Sequence, residues 1–565
     1  MTRIAIIGSG PTGIYTLKGL VGSSVPLSIT IFEIEPDPGK GTPYHPALND
    51  QAMLSNIASI ELPPICETLV AWLRRQTDTE LERLHVLREA IDEREFYPRV
   101  VLGEYLQAQF SQLVQAGTER GHRIDIKPRH RVIDIALQVD DIALVAQRTD
   151  GTQADYGFDH VVMATGHDWP DNIEIKPGYF MSPWPAVNLK SIGNCAVGIL
   201  GTSLSAIDAM VTVATAHGAF YVDASGLLEY QQAAGSEGFG ITMMSRKGLL
   251  PEADFYHEIP YLPLQFCTKE AIDTLLATGR GNLLDDIFDL FKAELLASDP
   301  EYSATIGLSL RTIETIGPAY FAERESRDPF AWAALNLAEA ARNKQQRHTV
   351  PWRYAILRMH EAIARAVPQL DSDDLKRFHK HFKSIFIDDY ATVPHESIKR
   401  ILALRRAGKL DIVALGDEYE IDNERVERGA EVTYDGKTLA FGAFIDATGQ
   451  HPLSVRDIPF PTLLKQGVIR KAATSAASSI ILPGDHQAVV RTGGIDLDDA
   501  FRPRFESPVS NKLYCAAISF LLHKLPFVQG ITSANDIGGV VSAAILADSM
   551  PAGAIASTPE LLAAS

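Results

Sequence analysis

Residues 3–13 read RIAIIGSGPTG, and this stretch decides the first part of the fold. A short apolar run of strand type leads directly into G-x-G-x-x-G, and a helix-like segment follows from 14 to 20. In that context Gly8 permits a tight turn, Gly10 admits a pyrophosphate to the backbone, and Gly13 lets the helix pack closely on the strand. The stretch therefore predicts a dinucleotide site at a helix N-terminus, where unpaired N–H groups favour an anion.

The next apolar run supports this interpretation. Residues 27–32 read LSITIF and end at Glu33, which stands 20 residues after Gly13. An acidic residue at this place accepts hydrogen bonds from a ribose diol. The alternative, a glycine-rich turn without a ligand, accounts for the loop but not for the strand, the helix and Glu33 together.

Composition and charge limit the class of protein. The chain has 565 residues, a net charge of −19 and 46% hydrophobic residues. This length predicts two to four domains, and the acidic balance argues against nonspecific binding to nucleic acid or an anionic membrane. The apolar stretch 195–216 contains Asp208 and several hydroxyl residues, so it is a poor membrane span. No signal-peptide pattern precedes the first strand, and we expect a cytoplasmic protein.

The four cysteines are Cys66, Cys195, Cys267 and Cys515. None forms C-x-x-C, and no Cys/His cluster has the spacing of a zinc site. The sequence therefore predicts no metal site and argues against a redox centre built on two neighbouring thiols.

A second nucleotide-type segment occupies 196–208, AVGILGTSLSAID. Its turn reads G-x-S-x-x-A, so that Ser203 and Ala206 stand in place of the second and third glycines. The following strand ends in Ser245-Arg246-Lys247. Cations and a hydroxyl at this position suit a 2′-phosphate, which favours NADP(H) over NAD(H). A solvated basic turn is the alternative.

Two further strands end in Ala-Thr-Gly, at 160–167 and 443–450, and each follows a hairpin-like region. Small residues and a glycine let the chain leave a sheet close to a bound nucleotide, whereas a plain strand exit is the alternative. Between about 252 and 385 the pattern becomes helical, which predicts a helical insertion in the second nucleotide unit.

These segments, with several others, match one known group. They are GSGPTG with Glu33, GKGTPYHP (39–46), MLSNIAS (53–59), FYPRVVLGEYL (96–106), MATGHDWP (163–170), GTSLSAID (201–208), SRKGLLP (245–251), HTVPWRYAILRMH (348–360), VPHESIKRILALRRAGKL (393–410) and FIDATGQ (444–450). In them the chain resembles the FAD/NAD(P)-binding flavoprotein family with two dinucleotide-binding domains, which includes bacterial aspartate N-monooxygenases. A more distant similarity links it to flavin-containing and N-hydroxylating monooxygenases.

The resemblance implies an α/β fold with two Rossmann-like, three-layer ββα domains, the NADP domain being inserted in the FAD domain. We expect the FAD domain at 1–190 and 386–565, and the NAD(P)H domain with its helical insertion at 191–385. The candidate cofactor-binding residues are Gly8, Ser9, Gly10, Pro11, Thr12, Gly13, Glu33, Gly41, Thr42, Asn56, Arg99, Val132, Ala164, Thr165, Gly166, Gly201, Thr202, Ser203, Ser205, Ala206, Ser245, Arg246, Lys247, Thr448 and Gly449.

The implied activity is that of an FAD-dependent, NAD(P)H-oxidising monooxygenase. NADPH is the favoured reductant and O₂ the second reactant. The compound that is N-hydroxylated is a small amine or amino acid, with an aspartate-like substrate among the candidates. A flavin oxidoreductase that does not oxygenate its substrate is the main alternative, and a non-catalytic nucleotide-binding protein a minor one. No acid–base constellation identifies catalytic residues. Arg99 is a candidate contact for flavin or a substrate carboxylate, with a surface salt bridge as the alternative.

Overall fold

The computed structural model describes residues 1–166, 173–278, 281–449, 453–475, 489–505, 507, 509–528 and 530–549. The strands are β1 (Thr2–Ile7), β2 (Leu27–Phe32), β3 (Arg123–Lys127), β4 (His130–Leu137), β5 (Ile142–Arg148), β6 (Gln153–Phe158), β7 (His160–Met163), β8 (Glu174–Lys176), β9 (Tyr179–Phe180), β10 (Ala196–Leu200), β11 (Gly218–Val222), β12 (Leu228–Gln232), β13 (Gly240–Ser245), β14 (Leu410–Ala414), β15 (Tyr419–Asp422), β16 (Ala430–Tyr434), β17 (Lys437–Phe441), β18 (Ala443–Asp446), β19 (Lys471–Ser475), β20 (Val489–Ile495) and β21 (Leu513–Cys515). The helices are α1 (Pro11–Val21), α2 (Leu69–Arg74), α3 (Asp78–Arg83), α4 (Arg99–Glu119), α5 (Leu204–His217), α6 (Lys269–Thr278), α7 (Leu283–Ser298), α8 (Pro300–Thr305), α9 (Ile313–Glu325), α10 (Pro329–Gln346), α11 (Pro351–Ala364), α12 (Ser372–Arg377), α13 (Lys383–Tyr390), α14 (His395–Arg406), α15 (Pro461–Lys465) and α16 (Gly530–Ser549).

The first sheet has five strands in the order β21-β7-β1-β2-β3, all parallel. Its central strand carries Ile4 and Ile6, both fully buried, as a parallel sheet covered on both faces requires. The antiparallel sheet β4-β5-β6 covers one face, where the Phe32 ring lies 5.1 Å from the ring of Tyr156. Helices α1, α4 and α16 pack beside the sheet as the further layer. The three-layer ββα architecture expected for the first unit is confirmed.

Helix α16 closes this unit against α1. A Cβ added to Gly538 would lie 2.7 Å from the Thr16 nitrogen, and one added to Gly19 would lie 2.0 Å from the Ser542 hydroxyl. Of the described helices, α16 alone is long and apolar enough to cross a membrane by length and composition. Its glycine face is packed on α1, which accounts for its apolar character by helix–helix contact.

The second sheet has the order β14-β13-β10-β18-β9-β8, with a meander of β15, β16 and β17 and with helices α5 and α14 packed nearby. Residues after 386 contribute to this sheet, since β14 pairs with β13 and β18 pairs with β10. The expected return to the FAD domain at residue 386 is therefore wrong for the stretch that ends with β18. A buried parallel strand has the same apolar pattern in either sheet, so the sequence does not say which sheet it joins.

A helical domain stands between β13 and β14. Its helices run from Lys269 to Tyr390 and enclose a core that includes Phe291, Phe382 and Phe386. The chain enters and leaves this domain through two segments that meet at a parallel bridge between Ala253 and Val393. Helices appear where the sequence predicted the insertion, and they continue a few residues beyond 385.

Candidate functional site

The first phosphate loop is a tight turn between β1 and α1. The Gly8 nitrogen donates to the Phe32 carbonyl at 2.8 Å, and Gly8 has a φ of +102°. A Cβ added to Gly8 would lie 2.3 Å from the Ala164 oxygen, and one added to Gly13 would lie 2.1 Å from the Gly8 oxygen. Both positions therefore need glycine for the structural reasons that the sequence indicates.

Gly10 precedes α1 and leaves the first turn of this helix open to a ligand. It is the N-cap residue and supplies no side-chain hydrogen bond, so the first-turn N–H groups are available to an anion. A Cβ on Gly10 would approach only the Gly41 Cα, at 3.5 Å. The loop that holds Gly41 and Thr42 thus lies directly beside the phosphate loop. These features fit a dinucleotide pyrophosphate.

Glu33 is fixed at the end of β2. Its Oε2 accepts from the Ser9 nitrogen at 2.9 Å and from the Ser9 hydroxyl at 2.6 Å, while Oε1 accepts from the Glu35 nitrogen at 3.0 Å. The Ser9 hydroxyl also accepts from the Gly39 nitrogen at 2.8 Å. Val132, another predicted contact, is buried on β4, which begins where the His130 nitrogen donates to the Glu33 carbonyl. The carboxylate is thus both a candidate ribose ligand and a brace for the loop.

The second phosphate loop repeats the build of the first. The Gly201 nitrogen donates to the Met244 carbonyl at 2.6 Å, and the Ala447 nitrogen donates to the Leu200 carbonyl at 2.8 Å. In the first loop the Ala164 nitrogen donates to the Ile7 carbonyl at 3.0 Å in the same way. Each Ala-Thr-Gly segment therefore stands beside one phosphate loop.

This pairing corrects the predicted assignment of the second Ala-Thr-Gly segment. Gly201 has a φ of +122°, and a Cβ added there would lie 2.6 Å from the Ala447 oxygen. Thr448 and Gly449 follow directly, so they belong with the second loop and not with the returning FAD domain. Ser203 is the N-cap of α5 and makes no side-chain capping bond, which leaves the first turn of this helix open as well. Ala206 is fully buried, as a small third residue should be.

The remaining predicted contacts lie on the same loops. Pro11 and Thr12 open α1, Thr165 and Gly166 follow β7, and Thr202 and Ser205 flank the start of α5. The Thr202 hydroxyl donates to the Leu249 carbonyl at 2.6 Å and lies 3.0 Å from the Ser245 hydroxyl. Residues 167–170 of the first Ala-Thr-Gly segment and Gln450 of the second lie outside the described residues.

The two cations after β13 are in different situations. The side chain of Arg246 is 65% exposed, and its nearest described carboxylate, Asp417, is 3.7 Å away. The Lys247 ammonium lies 2.5 Å from Glu325 of the helical domain and 4.1 Å from the centre of the Phe321 ring. Arg246 is therefore the cation that remains available to a ligand phosphate.

A cleft between the two nucleotide units holds the remaining candidates. Arg99, at the start of α4, lies 2.6 Å from Asp208 on α5, and both side chains are largely buried. Asn56 and Arg400, the latter from α14, line the same cleft, whose volume of about 350 Å³ includes space open to the solvent. Burial raises the pKa of Asp208 to about 6, although the Arg99 guanidinium opposes this shift.

Arg99 therefore makes a salt bridge, but a buried one in the cleft wall and not on the surface. Sequence reasoning missed Asp208 and Arg400 as site residues. Asp208 is the last residue of the second nucleotide-type segment, 196–208, and Arg400 lies in segment 393–410, which is part of the family resemblance. Nothing in either segment distinguishes these two residues from their neighbours as site residues.

None of the described residues that line the cleft is a cysteine. All four cysteines are free, and burial raises the pKa of Cys267 and of Cys515 to about 12. Within the described ranges no group of three or more His, Cys, Asp or Glu residues could hold a metal ion.

Two family models match the chain where the structure has its first unit and its helical domain. Residues 5–168 match the FAD-NAD(P)-binding family, and residues 268–390 match the YdhS-like middle domain. The YdhS protein of Escherichia coli (strain K12) is 40% identical over 546 residues, which cover 97% of this chain and 98% of that protein. The chain belongs to the YdhS family. This chain thus combines an FAD-NAD(P)-binding region with a YdhS-like middle domain in a flavin/NAD(P)-binding oxidoreductase fold.

Several solved structures are similar to this YdhS-family chain at low identity. The reduced ornithine hydroxylase PvdA of Pseudomonas aeruginosa has a TM-score of 0.49 and 13% identity, with 97% of this chain and 100% of that chain covered. The ornithine N-hydroxylase KtzI of Kutzneria sp. 744 has a TM-score of 0.48 and 12% identity, with 97% of this chain and 99% of that chain covered. The bacillithiol disulfide reductase of Bacillus cereus has a TM-score of 0.43 and 12% identity, with 97% of this chain and 99% of that chain covered. Similarities at this level include hydroxylases and a reductase, so they do not select a reaction.

Proposed function

We propose that this protein is an FAD-dependent, NADPH-oxidising monooxygenase that hydroxylates the nitrogen of a small amine or amino acid. The observation that supports this most is the cleft between the two nucleotide units, each of which carries a phosphate loop of the same build. None of the described residues that line this cleft is a cysteine. Electrons passed into such a cleft meet no protein dithiol among the described residues, so the acceptor comes from outside the chain, and in this proposal it is O₂.

The protein residues have separate tasks in this proposal. The loop at Gly8–Gly13 and Glu33 would hold FAD, while the loop at Gly201–Ala206 and Arg246 would hold NADPH. FAD, when bound, supplies the transfer of electrons from NADPH and the activation of oxygen. Arg99 and Asp208 form an ion pair in the wall of the cleft between the two nucleotide units, where a substrate would meet the bound flavin.

The preference for NADPH rests on Arg246. A guanidinium gives a phosphate charge-assisted hydrogen bonds, whereas the ribose hydroxyl of NADH would leave it solvated. At the corresponding place in the first unit the chain carries Glu33, which would repel a 2′-phosphate. The two loops are thus suited to different dinucleotides.

The decisive experiment measures oxygen uptake by the FAD-loaded protein with NADPH and a panel of amines and amino acids that includes L-aspartate. We expect one class of amine to increase oxygen uptake and to yield a hydroxylated product in proportion to the NADPH consumed. If reduced protein instead passes electrons to an organic acceptor without oxygen, and no amine is ever oxygenated, the protein is a reductase and the proposal is wrong. Gly201→Ala is the negative control, since it should retain FAD but lose the oxidation of NADPH.

A further inference from the structure

A second cavity lies where the first nucleotide unit meets the helical domain. It opens to the solvent, and its volume of about 330 Å³ includes part of that open space. It is lined by Glu61 and Arg94 of the first unit, by 254–257 at the entrance to the helical domain, and by Lys344 of α10. We call it the insertion pocket. None of these residues belongs to either phosphate loop.

The carboxylate side of the insertion pocket is formed by Asp254 and Glu61. In the described part of the chain Asp254 has no cation within 4 Å of its carboxylate, and its hydrogen bond from the Thr392 hydroxyl is long at 3.4 Å. Glu61 is better satisfied, since it lies 3.3 Å from His257 Nε2 and accepts from the Ala58 nitrogen at 3.2 Å. Asp254 is therefore the carboxylate that still needs a cationic partner.

The other side carries two cations. Arg94 donates to the His257 carbonyl at 2.9 Å and lies over the Tyr256 ring at 4.3 Å, and Lys344 lies 3.4 Å from the Arg94 carbonyl. Across the described ranges neither cation has a carboxylate within 4 Å, although Asp254 and Glu61 line the same cavity. Opposite charges that share a cavity without pairing are suited to a ligand that carries both signs.

The insertion pocket also lies next to the interdomain cleft. The loop that gives Asn56 to the cleft gives Ala58 and Glu61 to the pocket. On the opposite side the Asp254 nitrogen donates to the Val393 carbonyl at 2.8 Å, and Val393 lines the cleft. The two cavities are thus separated by one pair of chain segments.

We infer that the insertion pocket binds a small zwitterionic amine, whose ammonium group pairs with Asp254 and whose carboxylate pairs with Arg94 and Lys344. The inference rests on the proposed function only in taking the amine that is captured here to be the compound that is oxidised in the neighbouring cleft. The helical domain thereby selects the substrate, because Asp254 stands at its entrance and Lys344 within it.

The charge state of Asp254 adds a pH dependence. Burial, with the Glu61 carboxylate next in effect, raises the pKa of Asp254 to about 7, while His257 and Lys344 oppose the shift. His395 also approaches from α14, where its Nε2 lies 2.8 Å from the Asp254 carbonyl. An ammonium group binds the ionised carboxylate, so the affinity should fall as the pH is lowered from 8 to 6.

Calorimetric titration of the FAD-loaded protein without NADPH tests this inference independently of turnover. The probes are the zwitterions L-alanine and 4-aminobutyrate, with butylamine and butyrate as single-charge counterparts. We expect at least one zwitterion to bind about tenfold more tightly than either counterpart, since it makes both charge-assisted contacts. Equal affinity for butylamine, or no binding of either zwitterion, would overturn the inference.

Variants assign the two ends of the ligand. Asp254→Asn should weaken zwitterion binding about tenfold and abolish its loss between pH 8 and 6, and Lys344→Gln should weaken it while the pH dependence remains. Glu258→Gln and Lys380→Gln, at exposed positions outside the pocket, are the matched controls. Lys344 is only partly buried, so its variant tests the inference even if Asp254→Asn does not fold.

Failure of the inference is distinguishable from failure of the proposed function. Zwitterion binding that depends on Asp254 and Lys344, without any oxygenated product, would leave the pocket established and the monooxygenase proposal wrong. Oxygenation of an amine whose KM is unchanged in Asp254→Asn and in Lys344→Gln would instead support the monooxygenase proposal and show that the insertion pocket does not bind the substrate.

Discussion

Arg99 and Asp208 join the two nucleotide units by an ion pair of 2.6 Å in the wall of the cleft between them. Arg99 begins α4 of the first unit, and Asp208 belongs to the first half of α5 in the second. The pair is thus a contact between parts of the chain that are more than 100 residues apart. The ion pair contributes to the charge of the cleft, and protonation of Asp208 would change that charge and with it the binding of a cofactor.

Protonation of Asp208 should strengthen NADPH binding. Its pKa is raised to about 6, so below that pH the cleft loses a negative charge and Arg99 is no longer neutralised. We expect the KM for NADPH to fall as the pH is lowered from 7.5 to 5.5, and Asp208→Asn to show the low KM throughout, with an effect of about fivefold from one charge. The 2′-phosphate of NADPH titrates in the same range. The pH dependence of the KM is therefore measured for the natural chain and for Asp208→Asn, and the difference between them reports on Asp208. An equal pH dependence in both would contradict this role for Asp208.

Gly13→Ala should destabilise the first unit and release FAD. The added Cβ would lie 2.1 Å from the Gly8 oxygen, and a backbone atom can yield only by moving the loop. We expect a loss of about 1–3 kcal/mol in unfolding free energy and a lower flavin-to-protein absorbance ratio. Gly193→Ala is the control, since no atom lies within 4 Å of its added Cβ. Retention of flavin by Gly13→Ala at the level of this control would exclude the predicted pyrophosphate position.

Arg246→Ala should reduce the preference for NADPH over NADH. Its side chain is 65% exposed and only weakly paired, so its charge is available to a 2′-phosphate. We expect the KM for NADPH to rise about tenfold while the KM for NADH stays unchanged. Lys247→Ala should have a smaller effect because Glu325 already pairs with that lysine. Arg425, which is 83% exposed in the same unit, gives the control variant Arg425→Ala. A larger effect at Lys247 than at Arg246 would reverse the assignment.

Asp389→Asn should make the protein more stable than the natural chain at neutral and alkaline pH. Both carboxylate oxygens of Asp389 are buried without a hydrogen-bond partner among the described residues. Burial holds the pKa of this group well above its ordinary value. The natural chain therefore loses stability relative to the variant as the pH rises from about 4 through the raised pKa, by up to about 1.4 kcal/mol per pH unit.

Urea unfolding of both proteins between pH 5 and 8 measures this difference. Asp388→Asn is the contrasting variant, because Asp388 accepts hydrogen bonds from Arg324 at 2.5 Å and from Tyr320 at 2.9 Å. It should lower stability at each of these pH values. A stability difference for Asp389→Asn that does not change with pH would show that the group is ionised or solvated.

The sequence by itself determined the local parts of this protein. G-x-G-x-x-G after an apolar run specifies a tight turn, because Gly8 needs a positive φ and Gly13 leaves no room for a side chain. The second phosphate loop, the two strand ends in Ala-Thr-Gly and the helical insertion were likewise predicted from short stretches of sequence. Each depends on residues close together in the chain, where steric limits and periodicity act directly.

Only the tertiary structure decided which of these parts meet. The apolar run of β18 would suit either sheet, and its pairing with β10 places Thr448 and Gly449 beside the second loop. The contacts of Arg99 with Asp208, of Lys247 with Glu325, and the shared cavity of Asp254 and Lys344 join residues from separate units. Such contacts follow from how whole layers pack, and no short-range pattern in the chain encodes them. The sequence therefore defined two phosphate loops, whereas the packing of three domains defined the cavities between them.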